Sequence, residues 1–245
     1  MRPLALTLAA VLLGASARAD CPLPIAEEAV VARIHNGVSF DLADGGRVRL
    51  AAIQSPGGQT AVEARAALSS LVLGKRVELA LDERSVDRHG DIVAHVFVGK
   101  RWLQAHLIDS GLARVHTHKD IRACAKPLLA READARAAKR GLWAHAVHRL
   151  RGADELAGDI GTFQIIEGTP LAIVTRRDRT YVNFGPDYRT DFTATIARRD
   201  LKRFTQAGID PVTWRSKKIR VRGWLSLLNG PEIELTHPEQ VEIAD

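Results

Sequence analysis

The chain has 245 residues, 46% of them apolar, and carries 35 basic against 29 acidic side chains. That length suits two small domains rather than one. The basic excess is mild: it suits an anionic ligand without demanding nucleic acid, and beyond Leu13 no run is long and apolar enough to cross a bilayer.

Arg2 opens the chain with positive charge, a short apolar run follows over residues 4–13, and Ala17-Arg18-Ala19 fits an A-x-A cleavage signal. This pattern predicts a cleavable leader over residues 1–19 and an exported mature chain, periplasmic or secreted. Asp20 stands where a lipoprotein signal needs a small residue. Export makes a disulfide between Cys21 and Cys124 the expected state, with two unpaired thiols as the alternative. Residues 151–245 carry 14 bases and 14 acids, so the basic excess of the mature chain sits within residues 20–150.

Residues 29–34 and 37–42 alternate as strands, and 47–53 form another. Residues 60–73 read as a helix, with Ala61, Ala64, Ala67 and Leu71 at helical spacing and Gly74 as the stop. Strands over 76–81 and 92–98 are joined by the turn Asp87-Arg88-His89-Gly90. Helices over 102–110 and 127–140 end at Gly111 and Gly141, and Trp143 is expected to plug the base of a small closed barrel. A charged, irregular connection runs over 145–157. Strands over 160–167, 171–175, 180–184 and 191–196, a helix over 199–206, and strands over 219–225, 232–235 and 240–243 then suit a second small barrel of the oligonucleotide-binding type. The division is therefore a leader (1–19), a first domain (20–150) and a second (151–245).

The first domain resembles the thermonuclease (staphylococcal nuclease-like) family. The motifs that carry the likeness are Asn36-Gly37, Val48-Arg49-Leu50-Ala51-Ala52-Ile53, Ser55-Pro56, Asp87-Arg88-His89-Gly90, Gly111-Leu112-Ala113-Arg114-Val115, Glu132-Ala-Asp-Ala-Arg136 and Gly141-Leu142-Trp143. The resemblance implies an α+β, mainly β fold: a five-stranded oligonucleotide-binding-type barrel with three helices. It also implies phosphodiester cleavage with one calcium ion, held by aspartates because calcium takes hard oxygen ligands. A glutamate serves as general base and two arginines neutralise the phosphate.

Those roles fall on unsuitable residues here. The first metal aspartate falls on Val38 and the second on Gln54; the threonine beside it is Ser55. The general base falls on Gly57. One arginine survives as Arg49, and the other falls on Asp91, a reversal of charge. Asp41 cannot substitute, because strand alternation puts it on the face opposite position 38. Glu63, about two helical turns beyond Gly57, is the nearest carboxylate to that position in sequence. Asp87 is expected to tie its own turn. The reading is a catalytically inactive family member acting as a binding or structural module for nucleic acid, a nucleotide or an envelope partner, with calcium and other cofactors not expected. The alternative is an active nuclease using another metal or displaced residues. His89, His116 and His118, with His35 nearby, are either surface histidines or the imidazoles of a site for zinc or a similar ion.

The second domain looks like the small β-barrel that follows thermonuclease-like domains in some exported bacterial proteins. Its basic groups, among them Arg220 and Arg222, alternate with acids and read as solvated faces, with a phosphate track as the alternative. Tyr181, Phe184, Tyr188 and Phe192 read as core, with base stacking as the alternative, and Trp214 and Trp224 as packing, with ligand platforms as the alternative. Glu132 and Arg136, one helical turn apart, read as a structural pair.

Overall fold

The computed structural model describes residues 20–244. The expected leader lies outside the described residues.

The first unit runs β1 (Ile25–Asn36), β2 (Ser39–Leu42), β3 (Arg47–Leu50), β4 (Ile53–Gln54), α1 (Gln59–Val72), β5 (Arg76–Val86), β6 (Ile92–Val98), β7 (Arg101–Trp102), α2 (Leu103–Asp109), β8 (Arg114–Val115) and α3 (Ala125–Ala137). Strands pair in the order β3-β2-β1-β5-β6, and β3 then pairs with β6, closing a five-stranded barrel. The closing pair is parallel and sets Arg49 beside Val93. The period-two pattern decides what faces inward: Val48 and Leu50 are fully buried, and Arg49 between them points the other way. Phe40, Leu68, Leu79, Phe97, Leu103 and Leu107 complete one apolar core with them. The fold, its closure and its three helices are those expected.

Two glycines lock α2 to the segment after α3. Gly111 has φ of +66°, and a Cβ there would lie 2.1 Å from the carbonyl oxygen of Arg140. The amide of Leu142 donates to the Gly111 carbonyl at 2.8 Å across this backbone crossing. No side chain fits at either Gly111 or Gly141. The expected disulfide is present: Cys21 and Cys124, 103 residues apart with Cα atoms at 5.0 Å, are bonded. In the chain-entropy account, closing so long a loop stabilises by about 4–5 kcal/mol.

The second unit runs β9 (Arg151–Gly152), β10 (Phe163–Gly168), β11 (Ala172–Thr175), β12 (Arg179–Asn183), β13 (Thr193–Ala197), α4 (Arg198–Gln206), β14 (Ile219–Trp224), β15 (Ser226–Leu227), β16 (Pro231–Glu234) and β17 (Val241–Ile243). Its strands form two sheets, β17-β14-β10-β9 and β11-β12-β13-β16-β15. Ile166, Val182, Ile196, Phe204, Trp214, Val221 and Ile233 form one core between them. Where a second barrel is expected, the described residues thus enclose that core with two separately hydrogen-bonded sheets.

The two units share a small apolar seam. Ala135, Leu142 and Trp143 of the first pack with Phe163 and Ile165 on β10 of the second. Trp143 therefore belongs to the junction and does not plug the barrel. The Arg136 guanidinium lies over its ring, 5.6 Å from the centroid.

Candidate nucleic-acid interface

The lip of the barrel is assembled from the β1–β2 turn, the end of β3 and the segment after β4. The side chain of Asn36 accepts from the Val38 amide at 2.9 Å, shaping the turn. Gly37 then passes close to α1, where a Cβ would lie 2.6 Å from that of Ala64 and 3.3 Å from the Ser55 hydroxyl. The Val38 carbonyl accepts from the Leu50 amide at 2.8 Å, so position 38 is seated beside β3. Its side chain is half-buried and packs against the barrel core. Ser55 thus stands beside Gly37, the neighbour of position 38; it contributes a hydroxyl where Val38 has only methyl groups. The Ser55 hydroxyl donates to the Pro56 carbonyl at 3.3 Å.

Gln54 is occupied by a cation. The β4–β8 pairing sets it opposite Arg114. With its amide oxygen turned to the guanidinium, Gln54 accepts from Arg114 Nε at 2.8 Å and Nη2 at 3.1 Å. Burial pushes the Arg114 pKa down to about 10, with Glu132 pulling it the other way, so the group is charged at neutral pH. Gly57 is exposed, and a Cβ there would meet open space.

Arg49 leaves β3 on the outer face and its Nε donates to Asp87 Oδ2 at 3.3 Å. Asp87 also ties its own turn, as expected, accepting from the amides of His89 at 2.8 Å and Asp91 at 3.2 Å. Burial alone would raise the Asp87 pKa, but those two amides and the Arg49 charge outweigh it and hold the carboxyl below its ordinary value. Asp91 instead lines a surface depression with Arg33, Asp41 and Arg47. Asp41 is itself taken by Arg33 and by Arg47, whose Nε donates to it at 2.7 Å. Glu63 accepts from Gln59 one turn back on α1.

Residues 47–145 match the family model for staphylococcal nuclease homologues. The barrel domain is a staphylococcal nuclease homologue. The matched stretch begins at β3, so β1 and β2, which complete the closed barrel, precede it. No curated protein matches the chain.

The histidines of this nuclease-homologue domain divide: His89 stands apart, while His116 and His118 lie close enough to feel each other's charge. His89 is exposed and its Nε2 accepts from Arg88 at 3.0 Å. His118 lies 3.8 Å from Asp120. His116 packs edge-on to Phe163 of the second domain at 5.1 Å, and burial, with the charges of Arg49 and Arg114, pushes its pKa down to about 4. Among the described residues, the group of three potential ligand side chains within 4.8 Å of one another is Cys21, His95 and Cys124, and its two sulfurs are already bonded to each other.

The largest electrostatic feature near the lip was not legible as a site. Glu132 on α3 is fully buried. Its Oε1 accepts from the Val115 amide at 2.7 Å, and its Oε2 accepts from Arg222 at 2.8 Å and from Arg136 at 3.3 Å. Arg222, on β14 of the second domain, also donates to the Val115 carbonyl at 3.2 Å and pairs with Glu242. Burial alone would lower the Arg222 pKa, but the Glu132 and Glu242 carboxylates more than offset it and raise it. The solvated-face reading of Arg222 is therefore corrected: this guanidinium is 2% exposed and clamps β8, the strand that positions Arg114, onto the second domain. The Glu132–Arg136 pair exists but is the longer contact on a carboxylate that mainly serves Arg222.

Around this clamp the nuclease-homologue domain and its neighbour form a cleft of about 350 Å³ lined by His116, His118, Phe163, Trp224, Thr236 and His237. Thr117 and His237 share a hydrogen bond of 2.7 Å across it. Phe163 joins the cleft to the lip, because the Arg114 guanidinium lies 4.5 Å from its ring centroid and Trp224 meets the same ring edge-on at 6.3 Å. Trp224 is 57% exposed, so the packing reading of this residue is also corrected; Trp214 is core as expected.

Proposed function

We propose that this protein binds single-stranded nucleic acid and does not cleave it by the calcium route of its family. The observation that carries the reading is the Arg114 fork on Gln54. A divalent ion seated at that position would face a guanidinium instead of a carboxylate, and like charges at such a distance repel. The neighbouring positions supply Val38 and Gly57, and the base and ligand roles have no side chain to fill them.

What remains suits phosphate. His118 lies within electrostatic reach of Arg49, Arg84 and Lys119, with Asp120 as the nearby opposing charge. The exposed ring of Trp224 offers a stacking surface at the far side of the cleft, reached from the lip through Arg114 and Phe163. Stacking on such a ring needs an unpaired base, which selects single strands. A cleavable leader over residues 1–19 would put this activity in the envelope or outside the cell, and the Cys21–Cys124 bond, which persists in such a setting, supports that reading.

The test is incubation of the mature chain with single-stranded and duplex DNA and RNA in calcium, manganese, zinc and chelator. The expected outcome is intact substrate in every buffer, with fluorescence anisotropy reporting single-strand binding that weakens steeply with salt. Trp224→Ala should weaken it by about tenfold, the lower range of stacking contributions per base. Metal-dependent cleavage abolished by Arg49→Ala overturns the proposal in favour of a working phosphodiesterase.

A further inference from the structure

The second domain carries a concave site remote in sequence from the lip, on the outer face of the sheet β11-β12-β13-β16-β15. Strand alternation splits this sheet cleanly. Val182, Ala194, Ile196 and Ile233 face the core. Tyr181, Asn183, Thr193, Thr195 and Glu232 take the other face, where register sets Asn183 beside Thr193 and Tyr181 beside Thr195. That face is the floor of a cavity of about 580 Å³, a volume within the roughly 300–1,000 Å³ range of small-molecule sites.

The floor is polar, organised and desolvated. Glu232 is 5% exposed and Thr195 2%. Arg179 donates to Glu232 Oε1 at 3.0 Å and to Thr195 at 3.1 Å, and Thr195 donates to the same carboxylate oxygen. Thr193 donates to the Asn183 oxygen at 3.2 Å, which leaves the Asn183 amide nitrogen available. The walls are Tyr181, half-buried, and Tyr188, 59% exposed, so two of the four aromatics read as core from sequence are not in it. The Tyr188 loop is preorganised. Asp191 accepts from the Asp187 amide at 2.8 Å, Asp187 accepts from the Arg189 amide at 3.0 Å, and Gly230 packs against this loop, where a Cβ would lie 3.0 Å from the Asp191 carbonyl oxygen.

We infer that this cavity is a binding site for a neutral oligosaccharide. The chemistry narrows by elimination. Arg176 and Arg179 are balanced by Asp178 and Glu232, so the lining has no net charge to hold an ion of either sign. A polyanion meets the Glu232 carboxylate, and a cation meets the Arg179 guanidinium. An apolar ligand would strand Thr193, Asn183 and Glu232 without partners for their remaining lone pairs and hydrogens. A sugar satisfies all of these: its hydroxyls both donate and accept, matching the Asn183 amide, the free Glu232 oxygen and the two phenols, and its C–H face packs on a tyrosine ring. The site is independent of the nucleic-acid reading and survives its failure.

The experiment titrates the mature chain with chitotetraose, maltotetraose and cellotetraose by calorimetry up to millimolar concentration, with a dT oligonucleotide as the anionic control. The expected result is saturable binding of at least one neutral tetrasaccharide, weakened about fivefold or more by Tyr181→Ala and by Tyr188→Ala. Tyr188→Ala sits on an exposed loop and leaves the fold intact by circular dichroism, and Arg49→Ala leaves sugar binding unchanged. Failure of all three sugars to bind overturns the inference. So does binding that both tyrosine variants retain in full, or displacement of a bound sugar by the oligonucleotide.

Discussion

The lip and the seam are both built from arginines and acids, but they treat charge in opposite ways. At the lip, Arg49 is partly solvated and its one carboxylate partner, Asp87, divides itself between that arginine and two backbone amides. At the seam, Arg222 and Glu132 are both shut off from water and every oxygen of Glu132 has a partner. A calcium nuclease needs its desolvated carboxylates at the lip. Here the fully buried Glu132 carboxylate holds two domains together, and Asp87 at the lip is engaged by Arg49 and by its own turn.

The sharpest way to break this comparison is Arg222→Ala. Leaving Glu132 buried without its partner should cost about 3–5 kcal/mol, read as a lowered denaturant midpoint. Next in size is acid. Burial and nearby positive charge hold His116 near about 4 and His237 near about 3, both well below the ordinary 6.5. The unfolded chain takes up these protons near pH 6.5 and the folded one resists, so their contribution is complete above 6.5 and is lost as pH falls from there towards 4. The two losses add and are visible as a falling melting temperature across that window. A melting temperature flat from pH 7 to 4 would place both histidines in water.

Arg49→Ala tests the other side. Its partly exposed pair with Asp87 is worth under about 1 kcal/mol, so stability should barely move while nucleic-acid affinity drops. The smallest effect belongs to Gly57→Glu. The position is exposed, with open space for a side chain and no positive φ, so the change should stay within about 0.5 kcal/mol in chemical melts. It should restore no cleavage alone, because the metal positions remain Val38 and Gln54.

The barrel was legible in the sequence because it rests on local order: alternation on β3, glycines at turns, and a motif series read position by position. The seam was not. On β14, alternation groups Arg220, Arg222 and Trp224 on one face, but nothing local says that this face meets another domain. Arg220 stays near the surface with Glu167, Arg222 is swallowed and Trp224 stands at the rim. One signal was available. Ala125, Leu128, Glu132 and Ala135 lie on a single stripe of α3, all buried, so a carboxylate at helical spacing among apolar residues announced a partner to come. The Gln54–Arg114 fork was hidden for a similar reason, since only the pairing of two short strands brings residues 60 positions apart together.

The cysteine bond has a consequence for how the chain matures. A protein with two cysteines has one intramolecular pairing open to it, so there is no wrong isomer to unscramble. Export would call for an oxidant and not for a shuffling catalyst. The span it seals, Cys21 to Cys124, contains every barrel strand and stops at the threshold of α3. Oxidation therefore turns the barrel into a closed ring before the helix that carries Glu132 begins, and the second domain hangs from that ring as a separate length of chain, joined to it covalently at one end and electrostatically through Arg222.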